Sequence, residues 1–370
     1  MFDFLPVILR TPLAFGIVLG VLVFIHELGH YLAARWCGVH VETFSIGFGS
    51  AVVSWTDRLG TVWKIAWLPL GGYVKLHGLE RPEDVSEEVK ASWQPGRTFH
   101  GKSLGRRATV IAAGPLANFV LAAVLFAALF ATVGRGIVVP VVGEVIADTA
   151  ASHGGLQTGD RIAAIDGTPI QRFEQIQQAV AASPGRPMRL TVTGGGVSHD
   201  LTVTPTPSES NGHTIGVLGI RGGAVEYQRL SPGQAVPAGL AETWEITRGT
   251  MVALWGMIVH HQGADDLSGP LGIARISGQV AALGVASLLS LIAVLSTNLG
   301  LFNLFPIPVL DGGHLVFYVA EALRGRPLPV RAQEYGFRAG LALLAGLFVF
   351  ATWNDLAHIG IFRWVAALIG

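Results

Sequence analysis

The 370-residue chain contains one cysteine, Cys37, so it can form no internal disulfide and cannot build a zinc site from thiolates. Charge is scarce as well: 14% of the residues are Asp, Glu, Lys or Arg, where soluble globular chains carry about a quarter. The formal net charge is zero, which gives no basic footprint for a nucleic-acid partner. Apolar residues fill the gap, at 51% of the chain, and this is the composition of a membrane protein. Any metal has to be held by histidine and carboxylate.

Residues 13–34, 108–134, 280–310 and the stretch from Ala339 onward read as transmembrane spans. The second and third hold no charge over 27 and 31 residues, beyond the roughly 20 apolar residues that cross a bilayer. The first is apolar up to Ile25, then runs into His26 and Glu27, and no small-residue cleavage site of a signal peptide follows. Asp355 interrupts the fourth. Residues 35–107 hold 10 of the 25 basic residues, and Arg324, Arg326, Arg331 and Arg338 lie between the last two spans. The positive-inside rule puts both segments in the cytoplasm, leaving residues 135–279 and both termini outside.

Between the spans the pattern changes. Residues 52–55 and 61–67 are β-prone runs separated by Asp57-Arg58-Leu59-Gly60, a hairpin signature. Gly47, Gly49, Gly71 and Gly72 flank it. Its tryptophans, Trp55, Trp63 and Trp67, suit a membrane interface, and a small cytosolic hairpin is the alternative. Residues 136–207 combine short strands with one helix near 173–182. Gly155-Leu156-Gln157-Thr158-Gly159-Asp160, followed by Ile165-Asp166-Gly167, resembles the PDZ pattern of bacterial envelope proteases. Such a domain binds extended peptide at a sheet edge; a β-rich lid without peptide affinity is the alternative. Residues 234–260 read as an amphipathic helix on the outer surface, with Leu240, Trp244, Met251, Trp255 and Ile258 on one side.

His26-Glu27-Leu28-Gly29-His30 is an H-E-x-x-H motif inside an apolar helix. Its spacing puts both imidazoles on one face, able to share a zinc ion, with Glu27 beside a bound water. Ionisable groups at membrane depth cost roughly 2.5–3.5 kcal/mol each on insertion scales, so they persist mainly where paired, metal-bound or functional. A helix end reaching water and an ion path are the other readings. A catalytic zinc takes a third protein ligand, and Asp311 is the best candidate. It follows Pro306 and Pro308, which prevent a regular helix, and non-helical backbone at that depth needs protein or a polar cavity around it. Spans one and three run in the same direction with these residues late in each, so they should meet near the cytoplasmic leaflet.

The H-E-L-G-H motif, the run N-L-F-P-I-P-V-L-D-G-G from Asn303 to Gly313 and the single PDZ-like unit together resemble the site-2 protease family of intramembrane zinc metalloproteases, bacterial RseP type. Phe44-Ser45-Ile46-Gly47-Phe48-Gly49, Gly114-Pro115-Leu116-Ala117-Asn118 and Leu267-Ser268-Gly269-Pro270 extend the match to both ends of the chain. The best-known members carry two tandem PDZ domains; this chain has room for one. The resemblance implies Zn2+ held by His26, His30 and Asp311, with Glu27 as general base. It also implies a hairpin that re-enters the membrane and offers an edge strand to substrate, which Asn303, Gly47, Gly49, Gly71 and Gly72 would help to hold. Asn118, Asn298 and His314 are read as structural, with His314 a hydrogen-bonding neighbour of Asp311.

The expected architecture is a polytopic α-helical membrane protein with about four transmembrane helices, a membrane-associated β-hairpin on the cytoplasmic side and an inserted extracytoplasmic β-rich PDZ domain. Its parts are a first transmembrane helix with the motif (1–37), the hairpin region (38–107), a second transmembrane helix (108–134) and a periplasmic PDZ domain (135–222). An amphipathic-helix region (223–279), a third transmembrane helix (280–313), a cytoplasmic connection (314–338) and a fourth transmembrane helix with the C-terminus (339–370) follow. The expected activity is zinc-dependent cleavage of transmembrane segments in single-span proteins of a bacterial inner membrane, such as anti-sigma factors or remnant signal peptides. The expected partners are those substrates, a peptide segment at the PDZ domain and the bilayer, with no nucleic acid. An ion transporter would show internal inverted repeats, of which there is no sign, and a tethered PDZ scaffold would not need Glu27 between two histidines.

Overall fold

The computed structural model describes residues 6–79, 85–210, 213–260 and 268–359. Leu267 of the Leu-Ser-Gly-Pro motif and residues 360–370 at the end of the fourth span lie outside them. The chain forms two compact units: Phe130–Ser231, and the segments before and after it.

The first unit begins with α1 (Val7–Trp36), followed by strands β1 (Val41–Thr56) and β2 (Val62–Leu76), a short α2 (Glu87–Ala91) and α3 (Leu104–Thr132). Both long helices exceed the roughly 20 residues of a membrane span. They pack closely because a Cβ at Gly29 of α1 would lie 2.7 Å from the Cβ of Ala117, and small residues of this kind let membrane helices approach backbone to backbone.

The hairpin is more folded than two simple strands. Residues 43–46 pair on one side with 72–75 and on the other with 62–65, while 51–56 pair with 62–66. Residues 72–76 therefore form an edge. Asp57 seals the turn: its carboxylate accepts the Leu59 and Thr61 amides at 2.8 and 3.0 Å and the Trp63 indole N–H at 2.9 Å. Trp63 is thus turned inward, stacked on Phe44 at 4.4 Å, whereas Trp55 and Trp67 are exposed among Val52, Val53 and Ile65.

The second unit contains β3 (Arg135–Val138), β4 (Val142–Val145), α4 (Ala150–His153), β5 (Arg161–Ile165), β6 (Thr168–Pro169), α5 (Phe173–Ala181), β7 (Met188–Gly194), β8 (Val197–Val203), β9 (Thr206–Ser210), β10 (His213–Val217), β11 (Ile220–Gly222) and β12 (Val225–Gln228). Its central sheet has the order β6-β5-β7-β8, and β3–β12, β4–β11 and β9–β10 form antiparallel pairs. Alternate residues Ile162, Leu190 and Val192 meet Phe173, Ile176 and Val180 of α5 in one core. Asp166 and Gly167 both take positive φ, as a tight two-residue hairpin requires.

The chain returns to the first unit with α6 (Pro232–His260), α7 (Pro270–Ala282), α8 (Val285–Asn303), α9 (Asp311–Arg324) and α10 (Val330–Ile359). The uncharged run 280–310, expected as one span, is divided. Gly284 at φ 113° separates α7 from α8, and α8 ends at Asn303 ahead of the two prolines. Asp311 does not lie late in that span; it opens the separate helix α9. The expected connection from 314 is largely helical. Among the described residues, four helices, α1, α3, α8 and α10, are long and apolar enough to cross a membrane.

Asp355, read above as an interruption of the last span, is buried and has a partner. Its carboxylate accepts the Gly269 and Gly272 amides at 3.0 and 2.9 Å, satisfying the amino end of α7 where Gly269 offers no side-chain cap. Ala14, Val18 and Leu22 of α1 pack with Ala281 of α7 and with Leu288 and Ile292 of α8. This brings the first span and α8 together.

Candidate metal centre

His26 and His30 stand one turn apart on α1 and turn their Nε2 atoms toward each other, 3.2 Å apart. Oδ2 of Asp311 lies 3.2 Å from the first and 3.4 Å from the second. Three ligand atoms about 2.0–2.1 Å from a tetrahedral zinc would stand about 3.3–3.4 Å from one another, so the donor triangle has the right size. Oδ2 of Asp311 is also buried without a well-formed hydrogen bond, as expected of an atom directed at a cation. Among the described residues these three form the one group of histidine, cysteine and carboxylate side chains able to hold a metal. Two nitrogens and one carboxylate oxygen suit zinc and leave a fourth position open.

Each ligand is fixed from behind. His30 donates Nδ1–H to the Val110 carbonyl at 2.9 Å, and its ring occupies the space that a side chain at Gly114 would fill. Asn118, fully buried on the same face of α3, meets Nδ1 of His26 at 3.1 Å. Asp311 is held by its two following glycines: a Cβ on Gly312 or Gly313 would collide with the backbone of Leu304, Phe305 and Ile307. Only glycine lets α9 begin directly on that loop.

Glu27 points into the same cavity, of about 590 Å³. The Val74 N–H of the edge strand is turned toward its carboxylate. A Cβ on Gly72 would lie 3.2 Å from Cγ of Glu27, so the edge strand runs directly against the motif helix. Asn303, at the end of α8, lines the cavity too. Gly47, Gly49 and Gly71 do not. They take positive φ at the bends of the folded hairpin, packed on Ala66 and Leu68, Trp67 and Phe48 respectively, a backbone conformation that favours glycine. The ring of His314 packs edge-on to Phe337 at 5.3 Å instead of bonding Asp311. Asn298 accepts the Thr250 hydroxyl at 3.0 Å, a link between α6 and α8.

Sequence reasoning missed two features around the site. Arg107 and Glu321 form an ion pair at 2.6 Å, with the guanidinium 5.1 Å over the Tyr318 ring. Arg107 is therefore committed to α9 and is not a free surface charge. Val110, Gly114 and Asn118 repeat at four-residue spacing, the same spacing as His26 and His30. That matched periodicity on two neighbouring spans was a readable signal.

Beyond the cavity, Glu42 bonds Lys75 at 2.7 Å and Nδ1 of His77 at 2.8 Å. Burial pushes its carboxyl up, but these two hydrogen bonds outweigh it and hold the group below the ordinary glutamate value. Nε2 of His77 accepts the Gln94 amide at 2.8 Å, tying the following loop to the hairpin. Asp57 is likewise held below its usual value: the Trp63, Thr61, Leu59 and Tyr31 hydrogen bonds exceed the opposing effect of burial.

Residues 14–347 match the sequence profile of Peptidase family M50. An Agrobacterium fabrum protein named as a zinc metalloprotease, Atu1380, is 44% identical over 358 residues, covering 93% of this chain and 95% of its own length. Metalloprotease MmpA of Caulobacter vibrioides is 39% identical, over 95% and 96% of the two chains. The regulator of sigma-E protease RseP of Salmonella typhimurium is 32% identical, over 95% and 99%. A solved PDZ domain of an SdrC-like protein from Listeria innocua aligns with 25% of this chain and all of its own at 19% identity, with a TM-score of 0.21.

Proposed function

The chain belongs to peptidase family M50, and from that premise we propose that it is a membrane-embedded zinc endopeptidase that cuts the transmembrane segments of single-span proteins. One observation carries the reading: Nε2 of His26, Nε2 of His30 and Oδ2 of Asp311 form a triangle of zinc-ligand size beside Glu27, in a cavity bordered by the strand edge at residues 72–76.

His26, His30 and Asp311 hold the zinc, which when bound supplies a Lewis acid for water and for the scissile carbonyl. Glu27 takes the proton of the attacking water and returns it to the leaving amine. A transmembrane helix satisfies its own backbone hydrogen bonds, so its carbonyls are shielded until it unwinds locally. The edge at residues 72–76 offers replacement backbone partners, with Gly72 allowing close approach, and the Asn303 amide takes a further backbone group of the extended segment. Arg107 and Glu321 keep one wall of the cavity polar, which suits entry of water.

The unit from Phe130 to Ser231 acts as a PDZ-type peptide-binding domain on the periplasmic side of an inner membrane. Substrates are membrane proteins with a single span, of the anti-sigma-factor or remnant-signal-peptide kind.

The test uses the purified full chain with a single-span reporter in detergent micelles. Cleavage should stop with a zinc chelator, return with added zinc, and be absent in Glu27→Gln. Chelator-resistant cleavage, or cleavage by Glu27→Gln, would remove the proposal.

A further inference from the structure

Zinc takes an imidazole through a lone pair, so a histidine bound through Nε2 carries its proton on Nδ1 and needs an acceptor there. For His30 that acceptor is the Val110 carbonyl, 2.9 Å away. For His26 the polar group at Nδ1 is the carboxamide of Asn118, with Nδ2 at 3.1 Å. Two nitrogens can share a hydrogen only if the imidazole nitrogen accepts it. That tautomer puts the His26 proton on Nε2, where a metal could not bind.

The other end of the carboxamide resolves the conflict. Oδ1 of Asn118 is buried and finds no donor, so a half-turn of the amide gives up no hydrogen bond that this oxygen makes. The turned amide presents an acceptor to Nδ1–H of His26. The orientation of an amide and the tautomer of the ring it meets are set together by the network.

We propose that Asn118 is the positioning residue of His26: its carboxamide oxygen accepts Nδ1–H and so selects the tautomer that leaves Nε2 free for zinc. The neutral side chain suits the place, since a fully buried amide costs less than a carboxylate in an apolar span. The neighbours hold it in register. Gly29 brings α1 and α3 together, and the Ser296 hydroxyl of α8 donates to the main-chain carbonyl of Asn118 at 2.8 Å. Val110 and Asn118 thus serve His30 and His26 in parallel, one through its main chain and the other through its side chain.

This inference rests on the zinc reading, and the test separates the two. Zinc dissociation constants are measured by chelator competition on the full chain and on Asn118→Leu, Asn118→Ala and Asn118→Asp, alongside the melting temperature of each metal-free protein. Asn118→Leu and Asn118→Ala should weaken zinc binding by roughly tenfold to a hundredfold, while Asn118→Asp, which keeps an acceptor, binds at least as tightly as the parent. A purely structural role would lower the melting temperatures and leave the constants alike, and it would overturn the proposal. So would equal weakening in all three variants. Absence of zinc binding by the parent would instead sink the zinc reading and this inference with it.

Discussion

Gly114 faces the imidazole of His30 so closely that a methyl group there would take the ring's own place. A Cβ would lie 2.6 Å from Cε1 and 2.8 Å from Cδ2. The ring cannot swing aside without losing its bond to the Val110 carbonyl. The two helices are therefore fitted around the metal ligand, with a glycine on one opposite a histidine on the other.

Gly114→Ala should leave the protein folded and spoil the site. Overpacking typically costs about 1–3 kcal/mol, and expressed as lost zinc affinity this is roughly fivefold to over a hundredfold. Circular dichroism should be unchanged while the zinc dissociation constant rises. An unchanged constant would mean that the ring has room to move.

Asp355→Ala removes the carboxylate that closes the amino end of α7 and leaves two amides without an acceptor. Hydrogen bonds to charged groups are worth about 1.5–3 kcal/mol, and thermal unfolding in detergent should show a loss of that order. Asp355→Asn, which keeps one acceptor oxygen, should lose less. A melting point for Asp355→Ala equal to that of the parent would show that α10 does not depend on this contact.

Glu42 sets an acid limit on the hairpin. Its folded value lies below the ordinary 4.5 because Lys75 and His77 bond it more strongly than burial opposes. A depressed carboxyl contributes stability above the unfolded value, and that contribution fades as pH falls from about 4.5 through the folded value. The parent and Glu42→Gln should differ in melting temperature at pH 6 and converge once the pH falls below the depressed folded value of the carboxyl. A gap that persists at low pH would exclude this carboxylate as its source.

Much of this site could be read from the sequence because its signals are local. The His26 and His30 spacing, the Asp57 turn and the uncharged spans each lie within one element. What stayed hidden depends on contacts between distant segments. Asn118 meets His26 across 92 residues and was read as structural, because no local pattern ties it to the motif helix. Asp355 looked like an interruption because its partners lie 83 and 86 residues earlier. The break at Gly284 was invisible to hydropathy, since glycine is neither charged nor strongly polar; at the other end of α8 the prolines marked the break, but not that Asp311 would open a new helix. Of the hairpin glycines expected to help hold substrate, Gly47, Gly49 and Gly71 lie at its bends with positive φ and only Gly72 lines the cavity, a division that depends on how the hairpin folds back on itself.

The most direct test of the account is the zinc content of the purified full chain beside Asp311→Ala and Glu27→Gln, with cleavage of a single-span reporter followed on the same samples. The account predicts one zinc per chain in the parent and in Glu27→Gln, cleavage in the parent alone, and zinc largely lost from Asp311→Ala. Tightly held zinc in Asp311→Ala would contradict it.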